Sequence, residues 1–176
     1  MISLPLVYTI LALVAYTSSF WYLFIRLMSK RTPNLWCYGL LITLGLVLHG
    51  IVLYQDMMTP IGINYDVFNL MSFTSGLMLA LSLILSLIRP ILPLNLIGTP
   101  VAAFGLILGY AFSQPNQVIE QHSLGLDLHI ILSLSSYAVL LMATIHAVLL
   151  WFQDRELKKK QKRRIWVNLL PPFQVM

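Results

Sequence analysis

The sequence predicts an all-α, polytopic membrane protein with five spanning helices, and three observations predict it. Charged residues make up 10% of the 176-residue chain against 59% hydrophobic, where a soluble domain carries about 25% charged residues. Several apolar runs approach the ~20 residues that cross a ~30 Å hydrocarbon core. Those runs, such as "LMLALSLILSLI", lack the apolar–polar alternation of a transmembrane β-barrel's ~10-residue strands.

The first helix is expected over Leu4–Leu27, stopped by "RLMSKRTPN". The leading "MISLPLVY" has no Lys or Arg ahead of its apolar core, unlike a cleaved secretory signal, so this segment reads as a permanent helix. The second is expected over Leu35–Tyr54 and ends at "QDMMTPIG", where Pro60 and Gly62 mark a loop. The third covers Val67–Ile88 and is closed by "RPILP". The fourth, Leu96–Phe112, carries Pro100 in its first turn, where a missing N–H does least harm. The fifth is expected over Leu128–Phe152. Residues 1–153 thus form a transmembrane helical domain, and 154–176 a basic tail.

Charge placement supports this map. All eleven Lys and Arg residues follow helix one, three or five, together with Asp154 and Glu156. The loops after helices two and four hold Asp56, Asp66, Glu120 and Asp127 and no base. By the positive-inside rule the N-terminus lies outside and the basic tail is cytoplasmic. The run "RELKKKQKRR" directly follows a spanning helix, so it reads as a topology anchor contacting anionic lipid and not as a nucleic-acid patch. Trp21, Trp36, Trp151 and Trp166 fall near the expected cytoplasmic ends, as an interfacial aromatic belt requires. Cys37 is the only cysteine, which excludes an internal disulfide, a CxxC redox pair and covalent CxxCH haem attachment.

Four histidines carry the remaining chemistry. His49 lies below the outer end of helix two, in "GLVLHGIVLY", with Gly45 a turn beneath it and Gly50 beside it. His129 opens helix five, His122 sits in the outer loop before it, and His146 is near the cytoplasmic end. At 1.5 Å per residue His129 and His146 stand about 25 Å apart along one helix and cannot share a ligand. His129, Ser133, Ser136, Ala143 and Ala147 fall on one stripe of helix five, whose small residues would admit another helix or a flat ligand. His49 and His129 are expected at matched depth, where two imidazoles can supply both axial ligands of a haem iron. On the residues alone three roles stay open for them: a haem or metal site, a structural contact between helices, and an ion or proton path. No nucleophile with a base and an orienter is visible around Ser133, Ser135 or Ser136, nor is a phosphate loop, so no enzymatic constellation stands out.

The helix-five stretch "HIILSLSSYAVLLMATIHAVLL" resembles the signature helix of the cytochrome c assembly family, the haem-handling membrane proteins of the CcsA and CcmC type. The pattern of histidine, apolar and small residues, then Ser, Tyr and Ala is matched by His129, Leu132, Ser136, Tyr137 and Ala138. In layout the chain looks like the YpjD-like and HemX-like inner-membrane branch, through "LALVAYTSS", "LHGIVL", "FNLMSFTSGLMLAL" and the histidine loop before helix five. The resemblance implies a protein of the bacterial inner membrane holding non-covalent, b-type haem near the outer face, with His129 as an axial ligand. His49 as second ligand comes from depth, not from the motif, with Ser133 and Ser136 beside the porphyrin. The chain lacks the family's tryptophan-rich loop and second outer histidine, and ends at "LLPPFQVM" where relatives continue with further helices. Those helices, or another membrane protein, are the expected partners. Two other classes are carried beside this one: a cofactor-free accessory subunit docking through the small-residue stripe, and a small transporter.

Overall fold

The computed structural model describes residues 4–29, 31–60, 62–88, 92–114, 118–119 and 124–158. Five α-helices dominate: α1 (Leu4–Met28), α2 (Leu35–Met57), α3 (Val67–Ile88), α4 (Leu92–Phe112) and α5 (Leu124–Lys158). All five are long and apolar enough to cross a membrane. Their surface supports that environment. Large apolar side chains such as Leu40, Leu44 and Val47 of α2 and Ile10 and Val14 of α1 point outward, while Thr9, Ser19, His49, Asn69, Ser72, Ser82, Asn95 and Thr99 are buried. In lipid the polar groups must be satisfied inside, so the soluble-protein arrangement is turned inside out. The chain is therefore a multi-pass membrane protein.

Three short strands, β1 (Met58–Thr59), β2 (Gly62–Asn64) and β3 (Val118–Ile119), form an antiparallel sheet in the order β1-β2-β3. Met58 faces Ile63 across the first ladder, and Ile63 faces Ile119 across the second. The sheet gathers the α2–α3 and α4–α5 connections over one end of the bundle, here called the strand-capped end. Thr59 closes the first turn, its hydroxyl donating to the Gly62 carbonyl at 2.6 Å and accepting the Gly62 N–H at 3.1 Å. Asp66 then caps α3, its carboxylate accepting the Phe68 N–H at 3.0 Å.

Helix ends differ from the sequence reading in instructive places. α4 starts at Leu92, not Leu96, so Pro100 lies inside the helix and not in its first turn. The early start is held by Asn95, whose carboxamide accepts from Ser82 at 2.5 Å and reaches Ser86 at 3.4 Å, pinning the first turn of α4 to the last turns of α3. Pro100 then simply leaves the Leu96 carbonyl without its helical donor. α5 begins four residues earlier than expected and runs six residues beyond Phe152, so 154–158 continue the helix and are not a separate tail. Asp127 sits in its first turn, where an acid favours the helix dipole, and Asp56 ends α2; both had been placed in loops. The exposed rings of Trp21, Trp36 and Trp151 agree with a membrane-facing belt, while Trp166 and the run 159–164 lie outside the described residues.

Packing is closest where glycine meets serine or tyrosine. A Cβ at Gly105 of α4 would overlap the Ser75 hydroxyl of α3, and one at Gly109 would come within 2.9 Å of the Ser72 Cβ. At Gly45 of α2 a Cβ would lie 2.6 Å from the Tyr16 ring of α1. Small residues let these backbones approach, the usual basis of helix association in lipid. α5 is the exception: only 6% of its spanning window is buried, against 44% for α4. Gly105→Leu is expected to cost about 1–3 kcal/mol through overpacking, read as a lower unfolding midpoint in detergent. Gly39→Leu, at a site with open space, is expected to leave that midpoint unchanged.

Candidate functional site

His49 is 1% exposed and occupies the middle of the bundle. Its Nδ1 shares a 3.0 Å hydrogen bond with the Tyr16 hydroxyl of α1, and its Nε2 a 2.9 Å bond with the Ser72 hydroxyl of α3. The Tyr16 ring meets the imidazole edge-on at 6.0 Å between centroids. Beneath the ring, a Cβ at Gly76 would lie 3.2 Å from His49 Cε1, so α3 closes that side. A neutral imidazole offers one donor and one acceptor, and both are taken here by hydroxyls.

This geometry does not fit His49 as a haem ligand. Iron ligation needs a ring-nitrogen lone pair aimed at open space for a porphyrin, and both nitrogens face bonded hydroxyls on packed helices. Nor does the fold bring His49 and His129 together: His49 is enclosed by α1 and α3, whereas the His129 ring is exposed near the start of α5. The side chains that α5 turns to α3 and α4 include Leu134, Ala138, Leu141, Met142 and Ile145, with Tyr137 at the edge of this stripe. At 100° per residue that stripe lies roughly opposite His129 on the helix wheel. Ser136, Ala143 and Ala147 follow His129 onto the uncovered face, with Ser133 partly buried beside them. The Ser136 hydroxyl is spent on the Leu132 carbonyl at 2.9 Å. His146 is half-buried near the other end of α5, and His122 lies outside the described residues. Among the described residues no three His, Cys, Asp or Glu side chains converge as metal ligands would.

Two features escaped the sequence reading. The first is the polar seam of α3: Asn69, Ser72, Ser75 and Ser82 are all buried. Their recurrence at spacings of three, three and seven residues, one face of an otherwise apolar helix, was the available signal. Asn69 is fully buried, and among the described residues neither carboxamide atom has a hydrogen-bond partner. The second is a strap at the strand-capped end, where the Tyr65 hydroxyl donates to Asp127 Oδ1 at 2.5 Å and ties the start of α3 to the first turn of α5. Burial, then the bonded and charged Asp127 carboxylate, pushes the Tyr65 phenol up to about 12.

Compared with protein-family models, curated proteins and solved structures, the chain finds no match.

Two outcomes follow from the site. Tyr16→Phe leaves a buried imidazole nitrogen without its partner and is expected to cost about 1–3 kcal/mol in unfolding experiments in mixed micelles. His129→Ala, removing an exposed ring, is expected to leave the midpoint where it was. For the strap, folding raises the Tyr65 pKa above the ordinary 10.0, so its contribution is whole below pH 10.0 and is lost as pH climbs through about 12. The protection factor of the amides at the start of α5, which removes the base-catalysed rise of intrinsic exchange, should therefore stay flat across neutral pH and fall only in strong alkali. Tyr65→Phe should lower it throughout.

Proposed function

We propose that this chain is a haem-handling protein of the bacterial inner membrane, related to cytochrome c assembly, with the strand-capped end outward. His129 would present one axial imidazole from the uncovered face of α5. The observation that carries the reading is the setting of His129. Its ring is exposed, makes no hydrogen bond among the described residues, and stands on a helix face that no other described helix covers. The sequence motif beginning at that histidine supports the same assignment, as does the clustering of bases at the opposite end, including Arg26, Arg31, Arg155 and Lys158.

Of the two imidazoles first paired, only His129 fits such a role. This chain would contribute one axial ligand to a non-covalent, b-type haem, with the second supplied by further helices or a partner membrane protein. Ser133 and Ser136 keep the face beside His129 low, which leaves room for a flat macrocycle. Bound haem supplies the redox and ligand chemistry, while the protein holds and orients it. By composition, the run "RELKKKQKRR" would contact anionic headgroups and help fix the helix in the bilayer.

A specific observation favours a second reading, a cofactor-free subunit docked through the same face. His49, the one buried histidine among the described residues, is fully engaged in structural bonds, and the exposed stripe of Ser136, Ala143 and Ala147 suits close approach by another helix. Protein purified from haem-replete cells decides between them. Haem handling predicts a Soret band that His129→Ala removes and His49→Gln retains. The docking reading predicts no band, a harmless His129→Ala, and loss of a co-purifying membrane protein in Ser136→Leu.

A further inference from the structure

α5 leans chiefly on α3 and stands off α4, leaving a cleft of about 330 Å³ between the three helices. Its walls include Met71 and Thr74 of α3, Phe104 and Gly105 of α4, and Leu134 and Tyr137 of α5. Several of these, with Val67 above them, are themselves exposed, so the cleft opens sideways from the bundle. It occupies the strand-capped half of α3, from Val67 to Ser75, about 12 Å of helix at 1.5 Å per residue. The cleft therefore lies at the depth of hydrocarbon, in one leaflet.

The chemistry of the walls restricts the occupant. Among the described residues, no charged side chain lines the cleft. The Thr74 hydroxyl donates to the Leu70 carbonyl at 2.7 Å and the Ser75 hydroxyl to the Ser72 carbonyl at 2.9 Å, so neither has a proton left to donate to a ligand. The floor cannot collapse further, because Gly105 already abuts the Ser75 hydroxyl. The Tyr65–Asp127 strap crosses from α3 to α5 above the cleft, holding the two walls and placing a carboxylate over the top. Entry is lateral, from the bilayer. A gap of this size between packed side chains forfeits dispersion contacts unless something apolar fills it.

We propose that this cleft is a binding site for one acyl chain of a glycerophospholipid from the strand-capped leaflet, held by shape and hydrocarbon contact alone. The site contains no histidine and stands independently of the haem assignment.

The test uses the full chain reconstituted in phosphatidylcholine–phosphatidylglycerol vesicles with a trace of phospholipid carrying a diazirine midway along one acyl chain. After photolysis, peptide mapping should show labelling of 71–75 and 134–141 several-fold above the equally lipid-facing 40–47 of α2. Val101→Phe, which fills the cleft, should lower cleft labelling several-fold and leave 40–47 unchanged. Leu134→Phe should do the same and serves if the first variant does not fold. Tyr137→Phe keeps the apolar wall and should leave the pattern intact. Uniform labelling across all exposed helices would overturn the proposal, as would cleft labelling indifferent to both filling variants. Loss of labelling in Tyr137→Phe would also overturn it, by showing that a polar contact governs binding.

Discussion

The bundle depends on one imidazole held between two hydroxyls. His49 belongs to α2, Tyr16 to α1 and Ser72 to α3, so a single buried ring ties three spanning helices at one depth. In hydrocarbon the hydrophobic effect gives helices little reason to associate, because lipid tails are as apolar as leucine. Specific register must come from packing and from polar groups that have nowhere else to go. Here the two work together. Gly45 lets the Tyr16 ring lie against α2, Gly76 lets α3 close on the imidazole, and Gly109 lets α4 seat against the back of Ser72. Moving any of these helices along its axis by a residue would break a hydrogen bond and collide a side chain with a backbone.

The same logic recurs nearer the other end, where Asn95 of α4 binds Ser82 and Ser86 of α3. The α3–α4 pair is therefore pinned at two depths, with Ser75 on Gly105 between them. α5 has no equivalent. It meets the bundle through Ala138 and its apolar neighbours, and the Tyr65–Asp127 strap ties its first turn to the start of α3. Four helices thus make a register-locked unit, and the fifth is laid against it by shape. That difference leaves both the cleft beside α4 and the uncovered histidine face.

The spans were legible in the sequence because membrane thickness alone fixes length and apolarity; α1 and α3 fall within a residue of expectation. The start of α4 was not, because Leu92–Asn95 is helical on account of serines ten residues or so earlier in α3. No local propensity records such a partner. The strands were missed for a related reason: two- and three-residue segments carry no periodicity and form only once α2, α3 and β3 are gathered together. For the site, His49 was singled out by its depth in α2, but depth gives only one coordinate. Which way its ring turns depends on helix adjacency, and Tyr16 and Ser72 looked unremarkable in their own segments. His129 was located on its stripe by periodicity, and the unreadable part was whether that stripe would face inward.

That last point separates what a histidine does for a fold from what it can do for a ligand. An imidazole committed on both nitrogens is a poor candidate for iron, since binding would have to release two hydrogen bonds and part helices that close on glycine. An imidazole at the rim, on a face left open by the way α5 is laid on α3, carries no such cost. It also contributes little to stability, so its presence in an otherwise apolar and small-residue stripe finds no explanation in the packing of this chain. The two rings are therefore not a pair working at one centre. One is the fastener of the bundle, and the other is, among the described histidines at the strand-capped end, the one that the packing leaves open.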